Sequence, residues 1–197
     1  MPLLSSVFYG VLLAGILLVQ TASASAQDMA ASVPPGLVDQ QGRTFDAASL
    51  KGRWHLMYFG FTHCPEVCPT SLFEMTAALD LLAPVQQEQI TPVFVTVDPK
   101  RDTPELMAAY VKPLGHGIVT VSGDVEAIDR FAISRRIVAV RNIQDGPDYT
   151  VDHTSSVQLL DPQGREVERF PYDMDYHEVS RRIGTHMSAS AGPNLLK

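Results

Sequence analysis

Three kinds of hydrophobic pattern follow one another along the chain. An apolar run from Val7 to Val19 opens it and gives way to small residues up to Ala26. Two later runs, Trp54 to Phe61 (WHLMYFGF) and Ile90 to Val97 (ITPVFVTV), are continuous rather than alternating, the mark of strands buried on both faces. Between them Leu72, Met75, Leu79 and Leu82 recur at helical spacing, predicting a helix over Pro69 to Ala83. Strand, helix, strand in that order predicts a right-handed crossover and a parallel pair.

The remaining pattern fills in a single domain. Asp98-Pro99 ends the second run, and Thr103-Pro104-Glu105 reads as a cap with proline at the first helical position, leading to Val111. Asp124 to Ile133 is a further short helix and Ile137 to Val140 a short strand. Gly36 to Asp39, Gln40-Gln41-Gly42 and Arg43 to Phe45 predict a small hairpin. Ser155 to Leu160, the turn Asp161-Pro162-Gln163-Gly164, and Arg165 to Phe170 predict another. Asp175 to Met187 is an amphipathic terminal helix, and no internal repeat is evident. The sum is one α/β domain over residues 36–187: a central mixed sheet flanked by helices, with an N-terminal hairpin and a later one completing the sheet. Residues 27–35 read as a linker and residues 188–197 as a flexible tail.

Length and charge narrow the possibilities. The 197 residues suffice for one domain of ordinary size. A net charge of -7, with no charged side chain in residues 1–26, makes phosphate backbones and anionic membranes poor partners, so nucleic acid is not expected. Ala24-Ser25-Ala26 before Gln27 fits the small-x-small pattern of a cleaved signal peptide. The apolar run, about thirteen residues, is short of the roughly 20 that span a bilayer, unless Leu3 to Ala22 is counted as an anchor. Residues 1–26 are therefore a signal peptide or a membrane anchor, and no lipid-bearing cysteine follows them. Either way the domain is expected outside the cytoplasm, as in a periplasm, where disulfides are allowed.

Cys64 and Cys68, the only cysteines, lie where the first buried strand stops and the helix begins. In open α/β sheets that is where sites form. If the helix starts near Pro65, the two side chains share one helical face with Cβ atoms about 5–6 Å apart. Two thiolates there would suit one metal ion, or the pair could close a disulfide. Partial positive charge at the helix N-terminus favours thiolate. A purely structural bridge would close so short a loop that it adds little stability. Metal and redox readings both remain open on these grounds.

A metal would need a third ligand. Among the histidines, His55 sits in the buried strand, His116 in a Gly-flanked loop, and His177 and His186 on the terminal helix, where packing or surface roles are expected. His63 abuts Cys64 but points away from it. His153, in Tyr149-Thr150-Val151-Asp152-His153-Thr154-Ser155-Ser156, lies directly before a strand, in a loop that could face the cysteines. Lys100, Arg101 and Asp102 read as a solvated turn.

Three motifs carry a resemblance. Phe59-Gly60-Phe61-Thr62-His63-Cys64-Pro65-Glu66-Val67-Cys68-Pro69, then Val97-Asp98-Pro99-Lys100-Arg101-Asp102-Thr103-Pro104-Glu105, then Val151-Asp152-His153-Thr154 resemble, in order and spacing, the Sco/SenC family of copper proteins. The resemblance runs from Gly36 to Met187. It implies a thioredoxin-like fold and a copper site made by Cys64, Cys68 and His153. Asp98 is either an acidic residue supporting that site or simply the turn residue before Pro99. It also implies a role in maturing the binuclear copper centre of cytochrome c oxidase. The partners are then the copper-bearing oxidase subunit and another copper chaperone or thiol reductase.

The donor set agrees with that implication. Two thiolates and one imidazole suit copper(I), and copper(II) with an added water or carboxylate, whereas structural zinc wants four ligands. The leading expectation is a monomeric, non-enzymatic metallochaperone. A thiol–disulfide oxidoreductase acting through Cys64 and Cys68, without His153, is the alternative. Thr62 ahead of Cys64 resembles peroxiredoxins, but Cys68 and His153 do not fit their pattern.

Overall fold

A computed structural model describes residues 33–190 apart from 144, 145 and 147. The leader and all but the end of the linker lie outside the described residues. Among those residues no helix is long and apolar enough to cross a membrane.

The two continuous apolar runs form the middle of a six-stranded sheet. Strand β2 (Trp54–Gly60) is buried at every position, and β3 (Ile90–Thr96) is nearly so. They pair in parallel, Trp54 opposite Ile90 through Gly60 opposite Thr96. The strands β1 (Leu37–Asp39), β4 (Val119–Gly123), β7 (Ser156–Leu160) and β8 (Glu166–Pro171) complete the order β1-β4-β3-β2-β7-β8. β3 and β4 are parallel; the pairs β1–β4, β2–β7 and β7–β8 are antiparallel. The sheet is mixed, as its sequence implies.

Helices cover both faces. The first, α1 (Val67–Asp80), turns Cys68, Leu72, Met75 and Leu79 inward. A single turn, α2 (Pro84–Gln87), leads into β3. In α3 (Pro104–Val111), Thr103 caps the N-terminus by accepting the Leu106 N–H at 3.2 Å, with Pro104 where its missing N–H costs nothing. In α4 (Val125–Ser134), Asp124 accepts the Ala127 N–H at 2.7 Å. The last, α5 (Tyr176–Ser190), runs three residues beyond Met187, into the span read as a tail, and packs against α1. Side chains of β2 alternate in direction. Phe59 meets Phe131 of α4 at 5.5 Å, while Tyr58 lies parallel to Phe94 at 6.2 Å on the other face.

Two hairpin turns share one construction, Asp-x-Gln-Gly-Arg. Asp39 Oδ1 accepts the N–H groups of Gln41 and Arg43, and Asp161 Oδ1 those of Gln163 and Arg165, at 2.9–3.0 Å. Gly42 and Gly164 take positive φ, 73° and 78°, as the turns require. In the first hairpin the return arm is a single bridge, Val38 opposite Thr44.

Two strands are not evident in the apolar pattern. β4 alternates with Thr120 and Ser122, both buried and bonded, Thr120 through its N–H to Gln40 Oε1 and Ser122 to the Asp102 carbonyl. β6 (Val151–His153) pairs antiparallel with β5 (Ala139–Arg141) in a separate two-stranded ribbon. His153 is thus the last residue of a strand, opposite Ala139, rather than part of a loop.

Candidate metal centre

The site forms where β2 ends. Gly60 closes that strand, and a Cβ built there would stand 2.8 Å from the Tyr58 ring and 2.9 Å from the Cys68 sulfur. Glycine is required at this position because the sulfur and the ring fill the space a side chain would need. The chain then turns, with the Cys64 N–H donating to the Phe61 carbonyl at 3.3 Å, before α1 begins at Val67.

That turn corrects the expectation that both cysteines ride one helical face. Glu66 is the residue before the helix, in non-helical conformation and with no side-chain cap, so Cys64 stands outside α1. Its sulfur instead accepts the backbone N–H of Cys68 at 3.3 Å. It thereby occupies a helix-terminal donor that the uncapped Glu66 leaves open. Both cysteines are free thiols, Cys68 fully buried and Cys64 part-exposed.

The structure brings His153 to Cys68. The imidazole Nε2 lies 3.4 Å from the Cys68 sulfur, across 85 residues of sequence. Its Nδ1 is 3.1 Å from the Thr154 carbonyl, an acceptor only, which assigns the proton to Nδ1 and leaves the Nε2 lone pair facing the sulfur. A histidine ligand is oriented in this way, its second nitrogen fixed by a carbonyl. Burial lowers the His153 pKa, outweighing the Thr154 carbonyl and Asp152, so the ring is neutral near pH 7. Edge-on aromatic contacts from Tyr58 and Phe61, at 6.1 and 5.9 Å, hold its plane.

Electrostatics also corrects the reading of Cys68 as a thiolate poised by a helix terminus. Burial pushes the Cys68 thiol up to about 12, outweighing the Phe61 backbone, which favours its charged form. The metal-free Cys68 is a neutral thiol; a bound cation, not the helix, is what would remove its proton. Among the described residues no three His, Cys, Asp or Glu side chains stand gathered as a metal cage. The Cys68–His153 pair is assembled, and Cys64 is turned to the helix N-terminus beside it. The donors fit a soft cation: sulfurs and a neutral imidazole with its lone pair free.

The second motif supports the loops around the site. Asp98 is fully buried and accepts from Arg101 and from the Tyr149 hydroxyl, the latter at 2.5 Å; it bonds to none of the three candidate ligands. The Arg101 guanidinium lies 3.7 Å over the Tyr149 ring and 5.8 Å from Phe61, which in turn touches His153. Asp98 and Arg101 thus pin Tyr149, four residues before His153. Asp102 is fully buried as well, accepting from the Thr62 hydroxyl at 2.6 Å, the Thr62 N–H at 3.1 Å and the Thr96 hydroxyl at 2.7 Å. So Arg101 and Asp102 are not a solvated turn: both are drawn in by donors and rings far away in sequence. Lys100 alone is exposed.

The other histidines stay apart from the cysteines. His63 faces Thr62 and Asp102, His116 pairs with Asp80 at 3.0 Å and His186 with Glu168 at 2.7 Å. His177 pairs with Asp175 at 3.1 Å, and His55 is buried in β2.

A strand-borne turn that sets one part-exposed and one buried cysteine at a helix N-terminus, beside a mixed sheet, defines a thioredoxin-like protein. The chain belongs to the SCO1/SenC family, whose model matches residues 24–188. An SCO2-like protein of Rickettsia prowazekii (strain Madrid E) is 37% identical over 150 residues, 74% of this chain and 72% of that one. The copper-bound crystal structure of Arabidopsis thaliana ScoI superposes with a TM-score of 0.73 at 30% identity, covering 79% of this chain and 98% of its own. Copper-bound Bradyrhizobium japonicum ScoI gives 0.69 at 35% identity, covering 78% and 98%.

Proposed function

We propose that this protein is an exported copper chaperone that binds copper through Cys64, Cys68 and His153 and delivers it to the copper-bearing subunit of cytochrome c oxidase. One observation carries the reading: an Nδ1-protonated imidazole holds its free Nε2 3.4 Å from a buried cysteine sulfur. Copper in the related ScoI structures supports the choice of cargo. Copper(I) would be held by two thiolates and an imidazole, copper(II) by the same three with water or a carboxylate added. No nucleophile–base pair is needed, so the protein acts as a carrier rather than an enzyme, outside the cytoplasm and as a monomer. Two thiolates and a neutral imidazole around copper(I) leave a net charge of about -1, which a partner offering its own thiolates can compete for.

The test is a copper titration of the reduced, exported domain with single Ala substitutions at Cys64, Cys68 and His153. Each substitution is expected to lower affinity at least about tenfold, since each removes one of three donors. Unchanged affinity in His153→Ala removes the assignment.

A second reading rests on the thiols themselves. One part-exposed cysteine, its sulfur accepting the backbone N–H of a buried one at 3.3 Å, suits a dithiol that attacks and then resolves. The protein would then reduce the oxidase subunit's cysteines. Thiol–disulfide exchange that persists in His153→Ala separates this activity from copper transfer.

A further inference from the structure

Beside the candidate ligands the fold buries a hydroxyl and gives it no partner. Tyr58 lies on β2 two residues before Gly60, on the face turned to α1, and is fully buried. Its ring is flat against Phe94 and edge-on to the His153 imidazole, at 71° between planes. Its Cε1 and the Cys68 sulfur crowd the same point above Gly60, at 2.8 and 2.9 Å, and the hydroxyl is carried on the ring carbon next to Cε1. That hydroxyl is a close neighbour of the Cys68 sulfur and the Ser71 hydroxyl. Among the described residues it makes a hydrogen bond with neither, and Ser71 Oγ is unpartnered too.

Buried hydroxyls are almost always satisfied, so this one asks for a reason. Phenylalanine would fill the same volume against Phe94 and His153 without burying an unpaired polar atom. A neutral thiol is a weak acceptor, whereas a metal-bound thiolate carries the charge that makes a hydrogen bond short and strong. Copper coordination therefore creates the acceptor that the metal-free fold lacks.

We propose that the Tyr58 hydroxyl is a hydrogen-bond donor reserved for the Cys68 sulfur in its copper-bound state. This rests on the copper reading above. The donor withdraws electron density from the sulfur, which tunes both the copper–sulfur bond and the potential of the bound metal. It also lowers the cost of holding an anionic site inside the protein.

Tyr58→Phe tests this because it pulls two measurements in opposite directions. The melting temperature of the copper-free variant is expected to stay level or rise, since an unsatisfied group is removed. Copper(I) affinity, measured by competition with a chromophoric chelator, is expected to fall roughly ten- to a hundredfold, the range of a hydrogen bond to a charged group. The sulfur-to-copper(II) charge-transfer band is expected to shift. Equal affinity and an unmoved band in Tyr58→Phe overturn the proposal. So does a copper-free variant that is markedly less stable, because the hydroxyl would then be satisfied without metal. If the unsubstituted protein takes up no copper, the chaperone reading itself fails, a result visible before any variant is compared.

Discussion

The Cys68 sulfur sits 2.9 Å from the place where a side chain on Gly60 would begin. Gly60 has ordinary strand geometry, so alanine there meets no backbone strain, but it meets the sulfur, the Tyr58 ring and, at 3.1 Å, the Phe94 ring. Overfilling a packed interior costs about 1–3 kcal/mol. Gly60→Ala is expected to lower stability by that amount in chemical unfolding. It is also expected to weaken copper binding, because the sulfur is what must move. A variant with the original stability and affinity would show that the space is not contested.

Asp102 links two loops that share no sequence neighbourhood. Its buried carboxylate receives Thr62, just before Cys64, and Thr96, at the end of β3. Asp102→Ala leaves both hydroxyls and the Thr62 N–H without their acceptor, a loss of on the order of 3 kcal/mol. Urea unfolding of the metal-free protein measures it. A change below about 0.5 kcal/mol, the usual range of a surface substitution, would mean that the network carries no weight.

The acid limb of stability has a definable source in His55. Burial, then the neighbouring Arg53 charge, lower its pKa from 6.5 to about 4. In the unfolded chain the imidazole binds a proton near pH 6.5, in the folded chain only near 4. Its neutral form therefore supports folding fully above 6.5, and that support is lost as pH falls from 6.5 towards 4. The shift corresponds to on the order of 3 kcal/mol. His55→Leu is expected to flatten that segment of the stability–pH curve. Parallel curves for the two proteins between pH 6.5 and 4 would assign the acid sensitivity to other groups.

The strands that are continuous apolar runs, β2 and β3, are legible in the sequence because burial on both faces leaves no polar positions. The hairpin around Asp161 is legible because Pro162 and Gly164 mark its turn. β4 is not, since Thr120 and Ser122 look exposed until Gln40 and the Asp102 carbonyl are placed against them. The site follows the same division. Cys64, Cys68 and His153 stand out by type and motif, and the structure brings His153 to Cys68. The roles of Tyr58, Gly60 and Asp102 depend on neighbours across the sheet, which no local pattern encodes. The start of α1 is not legible for a local reason: the turn from Phe61 to Cys64 holds Cys64 out of the helix, which begins at Val67.

Among the described residues the ribbon of β5 and β6 pairs with no strand of the main sheet, and its ladder is three residue pairs long, from Ala139 opposite His153 to Arg141 opposite Val151, with one backbone hydrogen bond beyond each end. The two sulfurs and the imidazole thus belong to separately built pieces of the molecule. For a carrier, this divides release into stages. If Cys64, Cys68 and His153 hold the cargo as proposed, melting so short a ladder would withdraw the imidazole while the two sulfurs stay in place, leaving room for an incoming thiolate. The dwell time of the cargo would then follow how often a small ribbon opens, and not the stability of the domain that supports it.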